Sequence, residues 1–321
     1  LKKLFFYSFY RDRLYLISNH KEGIMTIHFK NEKPFIPPFI VLTLGIAAIS
    51  TGAIFARLAD GVHPLVIAAY RVGLASLILC PLAGLHCKKE ISLLQPREWW
   101  ALCLAGIFLA LHFAFWISSL FYTSVASSVV IVDTIPVWTA ILSPIVTKDL
   151  VRKKTKIGIA IAFAGGVIIS LGDFSLGEQA LWGDFLALLG AWTATCYFLC
   201  GRIARRKISL LTYTSLCYGI AALCLWSVIC VKGVPVRGFD LSVWGAFWGM
   251  ALIPQILGHS SYNWALRYVN PGAVSVALLG EPVVSSFLAW LIWEEAVGKA
   301  VYSGGALILL GIYIVSRSEA A

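Results

Sequence analysis

The chain is 321 residues long, 59% apolar and only 13% charged, with a formal net charge of +10 and a mean hydropathy of +0.83. Its charges stand in short clusters between uncharged runs long enough to cross a bilayer at about 1.5 Å per residue, which excludes a soluble globular domain. Its eight cysteines lack the paired spacing of a secreted disulfide framework, and the pair Cys196 and Cys200 has no further Cys or His beside it, so all are read as packing groups rather than metal ligands.

Residues 1–37 form a basic, aromatic leader whose apolar stretch is broken by Arg11, Asp12 and Arg13, so it lacks the core of a signal peptide. It suits the inner membrane surface, and a chain starting at Met25 would lose nothing the bundle needs. Ten spans are expected next, at 38–57, 64–86, 99–120, 124–146, 156–172, 181–201, 210–231, 241–262, 271–293 and 299–316. With both termini inside, 21 of the 26 Lys and Arg residues fall in cytoplasmic segments. Only Arg57, Lys232, Arg237 and Lys299 fall outside, and Arg71 lies within a span. Such a bias places both termini in the cytoplasm of a multi-pass inner-membrane protein. The positive net charge is therefore topological and is not a nucleic-acid footprint.

The chain also repeats itself. At a constant offset of 146, Tyr122 meets Tyr268, Pro136 meets Pro282, Asp149 meets Glu295, Lys153 meets Lys299, Gly158 meets Gly304, Gly165 meets Gly311 and Ser170 meets Ser316. One structural unit has been used twice. Ten spans in two units give five each, 38–172 and 181–316, and an odd number forces the second unit to enter the membrane from the opposite face. The expected fold is thus an all-α integral membrane protein of ten transmembrane helices in two inverted five-helix repeats, the arrangement that supports alternating access.

The motif from Pro136 to Asp149 followed by Gly158 and Gly165, repeated from Glu281-Pro282 to Glu295 followed by Gly304 and Gly311, resembles the EamA-type transporters of the drug/metabolite transporter superfamily. Arg71, Tyr122 and Tyr268 fit the same pattern. The resemblance covers about residues 38–316 and implies a ten-helix bundle with a central cavity that moves small organic solutes, amino acids or related compounds among them, often outward. Where the family usually has Gly-Glu after the fourth span, this chain reads Lys148-Asp149, and the leader lies outside the pattern.

Ionisable groups inside a span are costly, so each calls for a reason. Glu281 precedes Pro282 near the middle of the ninth span, and Asp133 lies three residues before Pro136 in the fourth. Proline disrupts the preceding turn and frees carbonyl groups, so each half sets an acid beside a kink. These four residues are candidates for coupling or gating, with protons as the coupling ion; the bland alternative is a protonated Glu281 that repairs the helix. Arg71 either snorkels along its long side chain or faces a cavity, where it would hold a substrate carboxylate or pair with an acid.

His112, Trp116 and Ser119 share one face of the third span, and His259, Tyr262 and Asn263 one face of the eighth. His259 falls opposite Phe113 at the offset of 146, one residue from His112. Two polar and aromatic faces suit an organic solute with a few hydrogen-bonding groups; interhelical packing is the plainer account. Pro254, ahead of Gln255, suggests another kink, and Gly245 with Gly249 a close contact. A polytopic enzyme acting on a lipid-linked substrate is the competing class. It would need paired carboxylates on a metal, a His-Glu-x-x-His helix or a nucleophile with its base. The sequence offers none of these and no cofactor motif, and its two acids are far apart along the chain.

Overall fold

The computed structural model describes residues 14–18, 25–29, 34, 36–123, 125–171, 178–293 and 299–320. Glu295 and most of the leader lie outside these. Within the leader, β1 (Leu14–Ser18) pairs antiparallel with β2 (Met25–Phe29), Leu14 opposite Phe29 and Ser18 opposite Met25. Both segments are rich in β-branched, aromatic and aliphatic residues, which favour a pleated strand. An all-α description therefore applies to the described residues from 36 onward.

Beyond the leader the described chain is helical. Seven helical runs are long and apolar enough to cross a membrane: Pro38–Leu58, Pro64–His86, Pro96–Ser119, Glu178–Arg205, Leu210–Lys232, Leu241–Ala265 and Pro271–Ile292. Shorter apolar segments occupy Ile135–Val146 and Tyr302–Val315, the latter inside the helix Lys299–Ala320. The helix Lys153–Leu171 fills the fifth expected span and begins with the basic residues Lys153, Lys154 and Lys156.

Proline sets the starts of several helices. Pro38, Pro64, Pro96 and Pro271 sit in first turns, where the missing N–H costs nothing and φ is already helical. Inside the bundle it breaks helices instead. Val125–Val132 stops at Asp133 and resumes as Ile135–Val146; Pro271–Leu278 stops at Leu279 and resumes as Glu281–Trp293. The two interruptions fall at equivalent places in the repeat, just ahead of Pro136 and Pro282, as the clash of proline with the preceding turn requires. In the eighth span the helix Leu241–Met250 passes into a π-helix, Ala251–His259, before Ser260–Ala265. Pro254 lies inside it; its missing N–H frees a carbonyl, and the ladder slips to the wider i to i+5 spacing.

The most extensive helix contacts all join one repeat to the other. Lys153–Leu171 packs on Lys299–Ala320, Glu178–Arg205 on Pro96–Ser119, Leu210–Lys232 on Pro64–His86, and Pro38–Ile49 on the π-helix. In the first pair the repeat glycines meet crosswise. A Cβ on Gly158 would lie 2.8 Å from the Gly311 carbonyl oxygen, and one on Gly165 would overlap that of Gly304. This crossing makes the equivalent helices antiparallel, and only glycine lets the backbones approach so closely. Gly249 receives the Phe55 ring in the same way, while nothing lies within 4 Å of a Cβ built on Gly245.

Connecting segments gather at two ends. At one, Asp149 pairs with Arg202 and Arg206, both at 2.9 Å, and Arg202 also donates to the carbonyls of Leu266 and Arg267. Arg152 donates to the Ser318 carbonyl there, and Lys207 meets Glu98 at 3.2 Å. Buried Glu90 accepts from Ser209 N, Ser209 Oγ and Thr212 Oγ1, capping the helix Leu210–Lys232 with a carboxylate. Burial pushes the Glu90 carboxyl up, and these three bonds with the charge of Arg205 hold back only part of the rise. At the other end Tyr70 donates to the Val236 carbonyl and Thr123 to Asp184.

Candidate functional site

A narrow cavity lies in the middle of the bundle, and both repeats contribute to its wall. Six of the residues singled out from the sequence line it: Arg71, His112, Trp116, Asp133, His259 and Glu281. The two helix breaks bring Asp133 and Glu281 to the same space, although 148 positions separate them in the chain. The acids that look isolated in the sequence line one cavity in the fold, and the charge of Glu281 acts on Asp133.

Arg71 enters from Pro64–His86 and is fully buried. Its Nε donates to Gln255 Oε1 at 2.8 Å, its guanidinium lies 4.1 Å over the centre of the Phe113 ring, and Trp116 stands 5.8 Å away. The guanidinium is thus held by an amide and an aromatic face, which fixes its plane. It neither snorkels to the membrane surface nor hydrogen-bonds to an acid: Nη1 and Nη2 have no partner among the described residues. Gly52 packs beside it, and a Cβ there would meet both Nη1 and the Trp116 ring at 3.6 Å, an ordinary van der Waals contact.

His112 and Trp116 stack with ring planes 5° apart. The Nδ1 of His112 lies 3.0 Å from the Gly190 carbonyl, which can only accept, so the proton of the neutral ring sits on Nδ1 and Nε2 is an acceptor. His259, carried by the π-helix, faces it at 6.3 Å between ring centres. Trp116 Nε1, His259 Nδ1, Asp133 Oδ2 and Gln255 Nε2 are buried without partners among the described residues. Buried polar atoms are nearly always paired, so a cluster of orphans around one hollow marks a place for a ligand or water.

The remaining candidates stand around this site. Ser119 donates to the Trp116 carbonyl and bonds Ser128 at 2.6 Å, tying the third span to the start of the fourth. Asn263 accepts from Tyr197 at 2.7 Å and donates to Tyr218 at 3.2 Å, so it lies behind the Tyr197 that lines the cavity. Tyr262 is buried within electrostatic reach of both acids, with its hydroxyl unpartnered among the described residues. Pro136 and Pro282 are buried and serve through the breaks. The sequence reading passed over Tyr197 and Phe198, which line the cavity from Glu178–Arg205. Their i, i+1 spacing carries no signal that separates a cavity wall from lipid-facing packing. Among the described residues no group of three His, Cys, Asp or Glu is placed to hold a metal ion.

A hollow lined by buried polar side chains, inside a bundle of apolar helices long enough to span a bilayer, defines a multi-pass membrane protein built to hold a solute. The chain belongs to the EamA-like transporter family, whose pattern matches twice, over residues 37–171 and 181–317, and it is a membrane transporter. It is 29% identical over 300 residues to the "Uncharacterized transporter YyaM" of Bacillus subtilis, covering 86% of this chain and 92% of that one. An "Uncharacterized transporter" of Archaeoglobus fulgidus is 25% identical over 256 residues, covering 80% and 90%. A crystal structure of another protein superposes with a TM-score of 0.71 at 20% identity, over 88% of this chain and 97% of that one, which speaks to the fold.

Proposed function

We propose that this protein is a proton-coupled secondary transporter that exports small organic metabolites, amino acids or related compounds, across the inner membrane by alternating access. In this reading ten spans form two inverted repeats, 38–172 and 181–316, with both termini cytoplasmic. Cargo lies between the repeats against Arg71, His112, Trp116 and His259, with Ser119, Tyr262 and Asn263 supporting them. Asp133 and Glu281 couple or gate, each placed by the break ahead of Pro136 or Pro282. A single observation carries the reading: the repeat-equivalent helix breaks open on one cavity and set a carboxyl group at each. Broken helices around a site between repeats are the recurring device of secondary transporters. The antiparallel crossing of Gly158 and Gly165 with Gly311 and Gly304 supports the inversion. An enzyme acting on a lipid-linked substrate is disfavoured by the transporter relatives, and no observation in the cavity points to it.

Glu281 tests the coupling. A carboxyl group near mid-bilayer takes up or releases a proton as the cavity dries or floods, and here Arg71, Asp133, Tyr262 and the two imidazoles surround it. Glu281→Gln keeps the size and a hydrogen-bond donor but cannot titrate. In reconstituted vesicles the variant is expected to bind cargo and to lose the pH dependence of transport. Retention of both rate and pH profile would reduce Glu281 to a structural role.

A further inference from the structure

The orphaned groups at the cavity are not a random mixture of donors and acceptors. Arg71 Nη1, Arg71 Nη2 and Trp116 Nε1 at its wall, and Gln255 Nε2 behind Arg71, are buried without partners among the described residues, and all four are obligatory donors. The identity of the glutamine atoms is fixed by chemistry: Arg71 Nε can only donate, so the Gln255 atom 2.8 Å from it is the oxygen, and the NH2 is left over. Of the other groups there, Asp133 Oδ2 accepts when ionised, His259 Nδ1 and the Tyr262 hydroxyl can donate or accept, and the Glu281 carboxyl lines the same wall. The helices Ile135–Val146 and Glu281–Trp293 also begin at this wall, turning their positive ends toward it. The walls between the polar groups are apolar: Ile49, Val132, Leu278 and Phe198.

We infer that the cavity recognises its cargo by a carboxylate, held in plane by the free edge of Arg71, with an apolar body lying between Trp116 and Phe198. This rests on the transport reading and narrows it to small organic carboxylates. The guanidinium presents two parallel N–H bonds, which a planar oxyanion meets with both oxygens. Because Gln255 and Phe113 already fix the guanidinium, little side-chain freedom is lost when the ligand arrives. An amide of the same shape offers one oxygen and a surplus of donors. An amine offers donors alone to a donor-rich wall.

The test uses the purified full chain in lipid nanodiscs and three probes of one shape, 3-phenylpropionate, 3-phenylpropanamide and 3-phenylpropylamine, with binding read by thermal stabilisation. The carboxylate is expected to bind the wild type at least about ten-fold more tightly than the amide, with the amine weakest. Arg71→Gln removes this preference, Arg71→Lys keeps part of it, and Ala194→Leu, which narrows the cavity without touching a charge, weakens all three probes alike. A wild type that prefers the amide or the amine, or that binds none of the three, overturns the inference. So does a carboxylate preference that survives Arg71→Gln, or probe binding untouched by Ala194→Leu. Should Arg71→Gln fail to fold, the wild-type order of the probes decides. Tight carboxylate binding without movement of labelled 3-phenylpropionate into vesicles would leave the anion site standing and count against transport instead.

Discussion

Lys148 is the non-glycine residue with positive φ among the described residues, at 60°. It stands where the family pattern usually has glycine, so this chain accepts a left-handed turn that costs a side-chain-bearing residue about 1 kcal/mol. The turn leads directly into Asp149 and its ion pairs with Arg202 and Arg206. Lys148→Gly is expected to raise the thermal midpoint in detergent by a degree or more, the steric relief exceeding the added freedom of the unfolded chain. Lys148→Val, branched at Cβ, is expected to cost about 1–2 kcal/mol. Equal midpoints for both variants would mean that the backbone there relaxes. Single residues were also where sequence reading was strongest. Arg71, Asp133 and Glu281 stood out because charge inside a span needs a reason, and all three line the cavity. Ser119 and Asn263 share helix faces with cavity residues yet bond elsewhere, because spacing gives the face but not the neighbour that covers it.

Among the elements, proline and glycine patterns foretold the breaks in the fourth and ninth spans and the disturbance at Pro254. They did not foretell that the latter would be a π-helix, since the wider ladder depends on which carbonyls find donors after packing. The crosswise glycines yield a sharp expectation. Gly165→Ala drives a methyl group into the Gly304 carbonyl and should cost about 1–3 kcal/mol. Gly84→Ala, where nothing lies within 4 Å of the added Cβ, should be neutral or stabilise by up to about 1 kcal/mol through helix propensity. Thermal unfolding of the two variants side by side checks the pair; similar midpoints would show that the two helices slide apart at little cost.

For the whole molecule, the charge bias that assigns the loops to two sides agrees with how they cluster, since Asp149, Arg202, Arg206 and Arg267 share one end. Arg205 is the exception in kind: it belongs to the same basic group but is buried, donating to the carbonyls of Asn263 and Ile208. Cysteines placed at Lys153 and Lys207 in a cysteine-free background are therefore expected to react from the cytoplasm only, and those at Glu178 and Arg237 from outside only. Labelling of one pair from opposite sides would remove the inverted topology.

The Asp149 cluster adds a pH expectation at that end. Burial pushes its carboxyl up, but the bonds and charge of Arg202, the Thr147 hydroxyl and the charge of Arg206 outweigh this and hold it below the usual carboxylate range. A lowered acid contributes stability that is present above its unfolded value, about 3.9, and is lost as pH falls through the folded one. Asp149→Asn should accordingly lower stability by about 1–2 kcal/mol at pH 7 and at pH 5, with the gap to wild type closing below about pH 4. A gap that stays constant from pH 5 to pH 2 would show that shape, not charge, holds the cluster.

What the repeat conceals is that its two copies are interleaved, the most extensive helix contacts running between them. The π-helix then acquires a thermodynamic meaning. Two copies of one sequence folded alike would make the inward-open and outward-open shapes equivalent by a two-fold rotation and equal in energy, and an idle carrier would divide its time evenly between them. The third span runs as an unbroken α-helix through Pro96–Ser119, whereas its counterpart is unwound over Ala251–His259. That inequality sits at the cavity wall itself, since the π-helix carries His259, which stands one place from the position symmetrical with His112. Under the proposed cycle the degeneracy is lifted, and an empty carrier waits with its door toward one side of the membrane.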